Sequence, residues 1–310
     1  MKKFHPIQVQ KAVDYLQAYG RPLERQLFAY EFEGVPPQAA LDALAAFQNP
    51  DGGYGRALEP DIRADASSVI ATSQALTLLR RLGATSQERQ VEGAIAYLLQ
   101  YFDDDRLVWP IVPLAIETAP HAPWWDVASS PETFDGFKFN PRAEILAHLW
   151  HYRAMVEAEF LHRVTAALVA DIDFKSADLG KSDFLCLREL AETEGLPAGL
   201  PERLADWLAV LLPGLVQTRT QRWNEYGLTP LEAAPRPGTP WANAIGPAEL
   251  DANLDELVER QLEDGSWPLT WSWGFIDAQA WAQSEREWKG VSIVHHLMAL
   301  RAYGRLAEVA

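Results

Sequence analysis

Apolar residues recur at three- and four-residue spacing through most of the chain, the signature of helices that bury one face. The pattern predicts helices over Ile7–Ala18, Leu23–Phe32, Pro37–Phe47, Ala66–Leu82, Gln87–Tyr101 and Pro141–Glu157. It continues over Glu159–Ala170, Phe184–Glu194, Pro201–Leu212, Ala248–Gln261 and Trp288–Leu306. No segment reads as a convincing strand. Gly20, Gly34, Gly83 and Gly304 stand where helices would stop, and Pro22 and Pro37 where the next would start. Two long segments, Phe102–Asn140 and Arg219–Pro247, lack the helical period and are rich in Pro and Trp. Segments of that kind inside a compact domain serve as lids or as extra packing.

The helices carry an internal repeat. Leu41-Asp42-Ala43-Leu44 leads into Gln48-Asn49-Pro50-Asp51-Gly52-Gly53-Tyr54, and Leu254-Asp255-Glu256-Leu257 leads into Gln261-Leu262-Glu263-Asp264-Gly265-Ser266-Trp267. Leu, Asp, Leu, Gln, Asp and Gly are identical at a constant offset of 213. A second match, Leu76–Gly83 with Leu297–Gly304, lies at an offset of 221, so the second copy holds eight more residues between turn and helix. The unit reads helix, Q-x-x-D-G turn, helix. Repeated hairpins close into a two-layer ring, so the expected fold is an all-α, α/α toroid of five or six hairpins. The copies flank both irregular segments, and ring closure needs both ends, which predicts one domain over residues 1–310.

Composition narrows the function classes. Hydrophobic residues make up 48% and charged residues 23%, ordinary for a globular protein. With 27 Lys plus Arg against 43 Asp plus Glu, the net charge of -16 leaves no basic footprint for nucleic acid or an anionic membrane. No run approaches a membrane span, and the N-terminus has no apolar signal core, so a cytoplasmic location is expected. The single cysteine, Cys186, fits a reducing compartment. Twelve tryptophans, several of them clustered from Trp267 to Trp288, are suited to lining a site for a small ligand. Core filling is the plainer role for most of them individually.

The two Q-x-x-D-G blocks resemble the Gln-Trp repeats of squalene-hopene-type cyclases. The chain thereby looks like a divergent, bacterial-type member of the terpenoid cyclase and protein prenyltransferase superfamily. The resemblance implies a structural role for the blocks, with Gln48 and Gln261 tying the end of one outer helix to the start of the next. It ranks binding or transformation of an isoprenoid-like ligand first. The family's catalytic signatures are not matched: Asp103-Asp104-Asp105 lacks the Asp-x-Asp-Asp spacing and reads as a solvated turn. No Asp-Asp-x-x-Asp magnesium motif or recognisable zinc-ligand spacing follows, so neither cofactor nor metal is expected.

Candidate chemistry therefore falls on the helix starts and the loops before them. Asp65, Asn140, Ser182 or Asp183, and Trp288-Lys289-Gly290 mark inner-helix starts, for which capping is the ordinary explanation. The stretch Tyr54–Asp65 exceeds what capping requires, with Glu59, Asp61 and Asp65 alongside Arg56 and Arg63. Glu59, Asp61 and Asp65 are the candidate general acids. Arg56, Arg63, Arg142, Glu144, Asp183, Trp271, Trp273 and Trp288 are the candidate ligand contacts. A salt-bridged loop is the structural alternative. A carbohydrate-active enzyme with paired carboxylates and a non-catalytic binding or scaffold toroid remain as other functions, and the oligomeric state is left open.

Overall fold

The computed structural model describes residues 1–175, 178–218, 223 and 225–307. Part of the second irregular segment, residues 219–222 and 224, therefore lies outside the described residues. Thirteen α-helices are described, and the only extended pairings among the described residues are isolated bridges. In chain order the helices are α1 (Pro6–Tyr19), α2 (Pro22–Glu33), α3 (Gln38–Ala45), α4 (Val69–Arg81), α5 (Arg89–Gln100), α6 (Phe139–His151) and α7 (Ala158–Asp171). Then follow α8 (Lys181–Ala191), α9 (Leu200–Leu215), α10 (Pro230–Ala233), α11 (Pro240–Ile245), α12 (Pro247–Glu259) and α13 (Ala278–Ala302). They gather into two compact units, one of Leu41–Leu208 and one of Met1–Ala40 with Ala209–Ala310.

In the unit of Leu41–Leu208, α6 packs against α4, α7 and α8, and α5 lies on α4. From Pro141 to Trp150 every residue of α6 but Glu144 is buried, which makes it the central helix of this unit. The Asn140–Pro141 peptide bond at its start is cis. Residues 101–138 form no α-helix. They make three short 3₁₀ turns and bury Ile111, Val112, Ile116 and Phe134 against Ile62, Ala64 and Ile70. Trp109, 1% exposed, donates its Nε1 hydrogen to the Leu98 carbonyl at 2.7 Å. This first irregular segment is thus packing material.

In the other unit, α13 packs on α1 and α2, and α12 on α10 and α11. The sequence pattern places the start of the last helix at Trp288, but α13 begins ten residues earlier. Asp277 caps it, accepting from the backbone N–H groups of Gln279 and Ala280. The extra residues of the second repeat copy are therefore largely helix, and Trp288 lies inside α13. A second correction concerns α4: its cap is Ser68, whose hydroxyl accepts from Ala71 N–H, while Asp65 is exposed and three residues short of it.

Both repeat blocks make the same clasp. Gln48 donates to the Gly52 carbonyl (2.9 Å) and to the Gln90 carbonyl in the first turn of α5 (3.1 Å). Gln261 donates to the Gly265 carbonyl (3.0 Å) and to the Gln8 carbonyl in the first turn of α1 (2.8 Å). Asp51 accepts from Gly53 N–H and the Ser67 hydroxyl, and Asp264 from the N–H and hydroxyl of Ser266. Those bonds occupy both acids in turn formation. Glycine is required at the turn: Gly52 and Gly265 have φ of +86° and +89°. A Cβ would stand 2.5 Å from Gly93 O at the first and 2.1 Å from Lys11 O at the second.

Candidate functional site: a polar ladder across three helices

The acidic loop folds back on itself before α4. Arg56 and Ala57 both take left-handed backbone angles (φ 53° and 59°), rare for residues with a Cβ. Arg56 holds that geometry by donating to Asn49 Oδ1 (2.8 Å) and the Ala46 carbonyl (3.2 Å). Arg63 donates from NH1 to the Pro60 carbonyl at 3.1 Å. The loop is fastened to residues 120–122 by Arg63 N–H to the Pro120 carbonyl and Ala122 N–H to the Asp61 carbonyl.

The three loop acids do not share one environment. Glu59 and Asp61 are 4% and 2% exposed, whereas Asp65 faces solvent. Glu59 accepts from the Gln74 amide on α4. Beneath the loop is a narrow crevice with Ala57, Leu58, Glu59 and Ile62 in its walls, with essentially no room even for a water molecule. Ligand pockets occupy roughly 300–1,000 Å³. The crevice is too small for a molecule of several rings.

One turn along α4 the polar groups converge. Ser73 Oγ donates to Glu144 Oε2 at 2.6 Å, and Thr77 Oγ1 lies 3.2 Å from Glu144 Oε1. Thr77 Oγ1 is also 3.3 Å from His148 Nε2, and His148 Nδ1 is 3.2 Å from Arg80 NH1. Arg80 pairs with Glu189 of α8 at 2.9 Å. Helical spacing explains the convergence: Ser73, Thr77 and Arg80 are separated by four and three residues, and Glu144 and His148 by four, so each set shares a face. Where α4, α6 and α8 meet, those faces oppose each other.

Burial tunes this ladder. Glu144 retains some exposed surface, but its carboxyl is enclosed, and desolvation pushes its pKa up against the opposing bonds from Ser73 and Thr77. His148, fully buried, has its pKa driven well down by desolvation and then by the Arg80 charge, so the imidazole is neutral. Cys186, 6% exposed, has a thiol raised by burial and by the Glu144 and Asp183 charges. Desolvation also raises Asp183, which accepts from Asn140 N–H at 2.9 Å. Asp183 lies in the first turn of α8 and reaches across to α6.

The remaining expected residues sit elsewhere. Arg142, 1% exposed, pairs with Asp171, and its Nε has no hydrogen-bond partner among the described residues. In the other unit, Trp271 and Trp288 meet edge to face at 5.4 Å, and Trp273 meets Trp281 at 5.9 Å. The indole N–H groups of Trp271 and Trp288 are buried without a partner among the described residues. His296 packs edge to face on Trp267. Asp103 accepts from the backbone N–H groups of Asp105 and Arg106, forming the expected turn, and Asp104 pairs with Arg163. No cluster of three or more His, Cys, Asp or Glu fit for a metal occurs among the described residues. No described helix is long and apolar enough to cross a membrane.

Of the residues expected from sequence, Glu144 is the one the helices bring into a connected polar cluster. Ser73, Thr77, Arg80, His148 and Glu189 were not among those expectations. Their signal is a polar stripe at helical spacing on otherwise apolar helices.

With this geometry, the fold is that of type II terpene cyclases, an all-α toroid class. The chain is similar to a variant of the type II terpene cyclase MstE from Scytonema, solved with its substrate geranylgeranyl dihydroxybenzoate. They share 13% identity and a TM-score of 0.52, with 97% of each chain covered. It is similar to the same degree, with 16% identity and a TM-score of 0.52, to a solved protein from Actinoplanes, covering 96% of this chain and 99% of that one. No protein-family model and no curated protein matches the sequence.

Proposed function

We propose that the protein binds a small, largely apolar, isoprenoid-like ligand and handles a proton for it at Glu144. The observation that carries this reading is the enclosed Glu144 carboxyl, raised by burial and gripped by two hydroxyls where three helices meet. A raised carboxyl keeps its proton nearer neutrality, the state a general acid needs. The shared fold supports the ligand class, because the MstE variant was solved with a geranylgeranyl-bearing substrate. Arg142 and Asp183 flank the start of α6 in the same unit as Glu144. Glu59 and Asp61 hold the loop before α4.

The test is titration of the purified protein with geranylgeraniol, read by tryptophan fluorescence, with product analysis by mass spectrometry and NMR. The expected result is saturable quenching and, for a convertible polyene, an isomerised or cyclised product. Glu144→Gln is expected to retain binding and lose conversion. Absence of saturable binding would refute the ligand class, and undiminished turnover by Glu144→Gln would remove the acid.

A further inference from the structure

We propose that Thr77 is a hydroxyl rotor that lets Glu144 gain or lose a proton at Oε1 without stranding a buried polar group, and that Arg80 sets its direction. The inference rests on the reading of Glu144 as the proton-handling group.

A guanidinium has only hydrogens to offer, so His148 Nδ1, 3.2 Å from Arg80 NH1, must accept. A neutral imidazole accepting at Nδ1 carries its hydrogen on Nε2. That hydrogen is directed at Thr77 Oγ1, 3.3 Å away. Thr77 Oγ1 therefore accepts from His148, and its own hydrogen must point elsewhere. Two acceptors are in reach: Glu144 Oε1 at 3.2 Å and the Ser73 carbonyl at 3.3 Å.

These two directions match the two states of the acid. When Glu144 is ionised, the Thr77 hydrogen points at Oε1 and the Ser73 hydroxyl at Oε2, so both carboxylate oxygens are bonded. When Oε1 is protonated, its O–H donates to Thr77 Oγ1, and the Thr77 hydrogen turns to the Ser73 carbonyl. A hydroxyl oxygen has two acceptor sites, and here His148 and Glu144 fill both. Ser73 stays on Oε2 throughout. The departing proton goes to the ligand atom that accepts it or, in the unliganded protein, to water. A single bond rotation replaces the stranded donor or acceptor that each protonation change would otherwise leave inside the helices.

On α4 the facing charge is Arg80, on α6 His148 and His151, and on α8 Asp183, Cys186 and Glu189. From α7, Asp171 is engaged by Arg142, while Arg89 and Glu92 of α5 lie exposed. Glu189 holds Arg80 in place.

The experiment uses the full-length, ligand-free protein, so its outcome is independent of whether an isoprenoid binds. ¹⁵N NMR of His148 is expected to report the Nε2–H tautomer. Infrared titration of the Glu144 carboxyl band, assigned with Glu144→Gln, reads its protonation midpoint. Thr77→Val removes the rotor at nearly constant shape and is expected to bind the proton about tenfold more tightly, the effect of losing one bond to the anion. Thr77→Ser keeps the rotor and is expected to titrate as the parent does. Arg80→Met is expected to release His148 into a mixture of tautomers, and Arg80→Lys to preserve the single one. An Nδ1–H tautomer in the parent would overturn the proposal. So would coincident titration of the parent, Thr77→Val and Thr77→Ser proteins. If Thr77→Val does not fold, a Thr77→Ser midpoint shifted as far as the Thr77→Ala midpoint decides against the rotor.

Discussion

Glu144 and Asp65 are both acids near the start of an inner helix, and their surroundings separate them. Asp65 faces water, where a carboxylate needs nothing from the protein. Glu144 lies among helices that desolvate it, and Ser73 and Thr77 offset only part of that effect. Its folded-state pKa is therefore above the unfolded value, so the native state holds the proton more tightly. The stability it contributes is complete below the ordinary carboxylate range and is lost as pH rises through the folded value. Glu144→Gln, whose amide can donate to Thr77 while its carbonyl accepts from Ser73, copies the protonated form. We predict that this variant loses less stability than the parent as pH rises from 4 to 8, read by urea denaturation at each pH. Ser68→Ala tests a simpler residue effect: loss of the α4 cap should cost about 1 kcal/mol in the same assay.

At the scale of elements, the two clasps show what the repeat is for. Each glutamine amide satisfies one carbonyl of its own turn and one in the first turn of another helix. Without it, both carbonyls lose a donor. Gln48→Ala and Gln261→Ala should each destabilise by about 1–3 kcal/mol, measured by denaturant unfolding. Gly265→Ala should be worse than either, because the new Cβ meets the Lys11 backbone and the φ is left-handed. If Gly265→Ala proves milder than Gln261→Ala, the close approach of that turn to α1 is not as described.

For the whole molecule, two buried histidines contribute to the acid limb of stability. Desolvation, followed by the His295 and Arg260 charges, lowers His296 to about 3, and His148 is shifted in the same direction. Both are neutral when folded, while the unfolded chain takes up protons near 6.5. Their contribution is thus complete above that value and is lost as pH falls through the window toward the folded values. His296→Phe should flatten the fall in Tm between pH 7 and pH 5 relative to the parent. An unchanged slope would show that His296 is not held neutral. We also propose that residues 1–310 unfold as one domain. The expected observation is a single thermal transition with agreeing calorimetric and van't Hoff enthalpies. Two resolved transitions would make the compact units separate domains.

Helical periodicity made most elements legible, because a helix that buries one face must repeat its apolar residues at that interval. The Q-x-x-D-G blocks were legible for a related reason: a turn carrying this Gln, Asp and Gly has few geometries, and both copies adopt the same one. Boundaries were less so. The pattern places the last helix at Trp288, since the polar first turns of α13 hide its start at Asp277.

The site was legible only in fragments. From sequence, the acids of residues 56–65 stand out because they are close together along the chain. Glu144 lies far from Ser73 and Thr77 in sequence and meets them only because α4, α6 and α8 pack together. The chain by itself determined the helices, the two clasps and a strongly acidic charge. Tertiary packing decided which carboxyl leaves water, because desolvation depends on what surrounds a side chain in space and not on its neighbours in sequence.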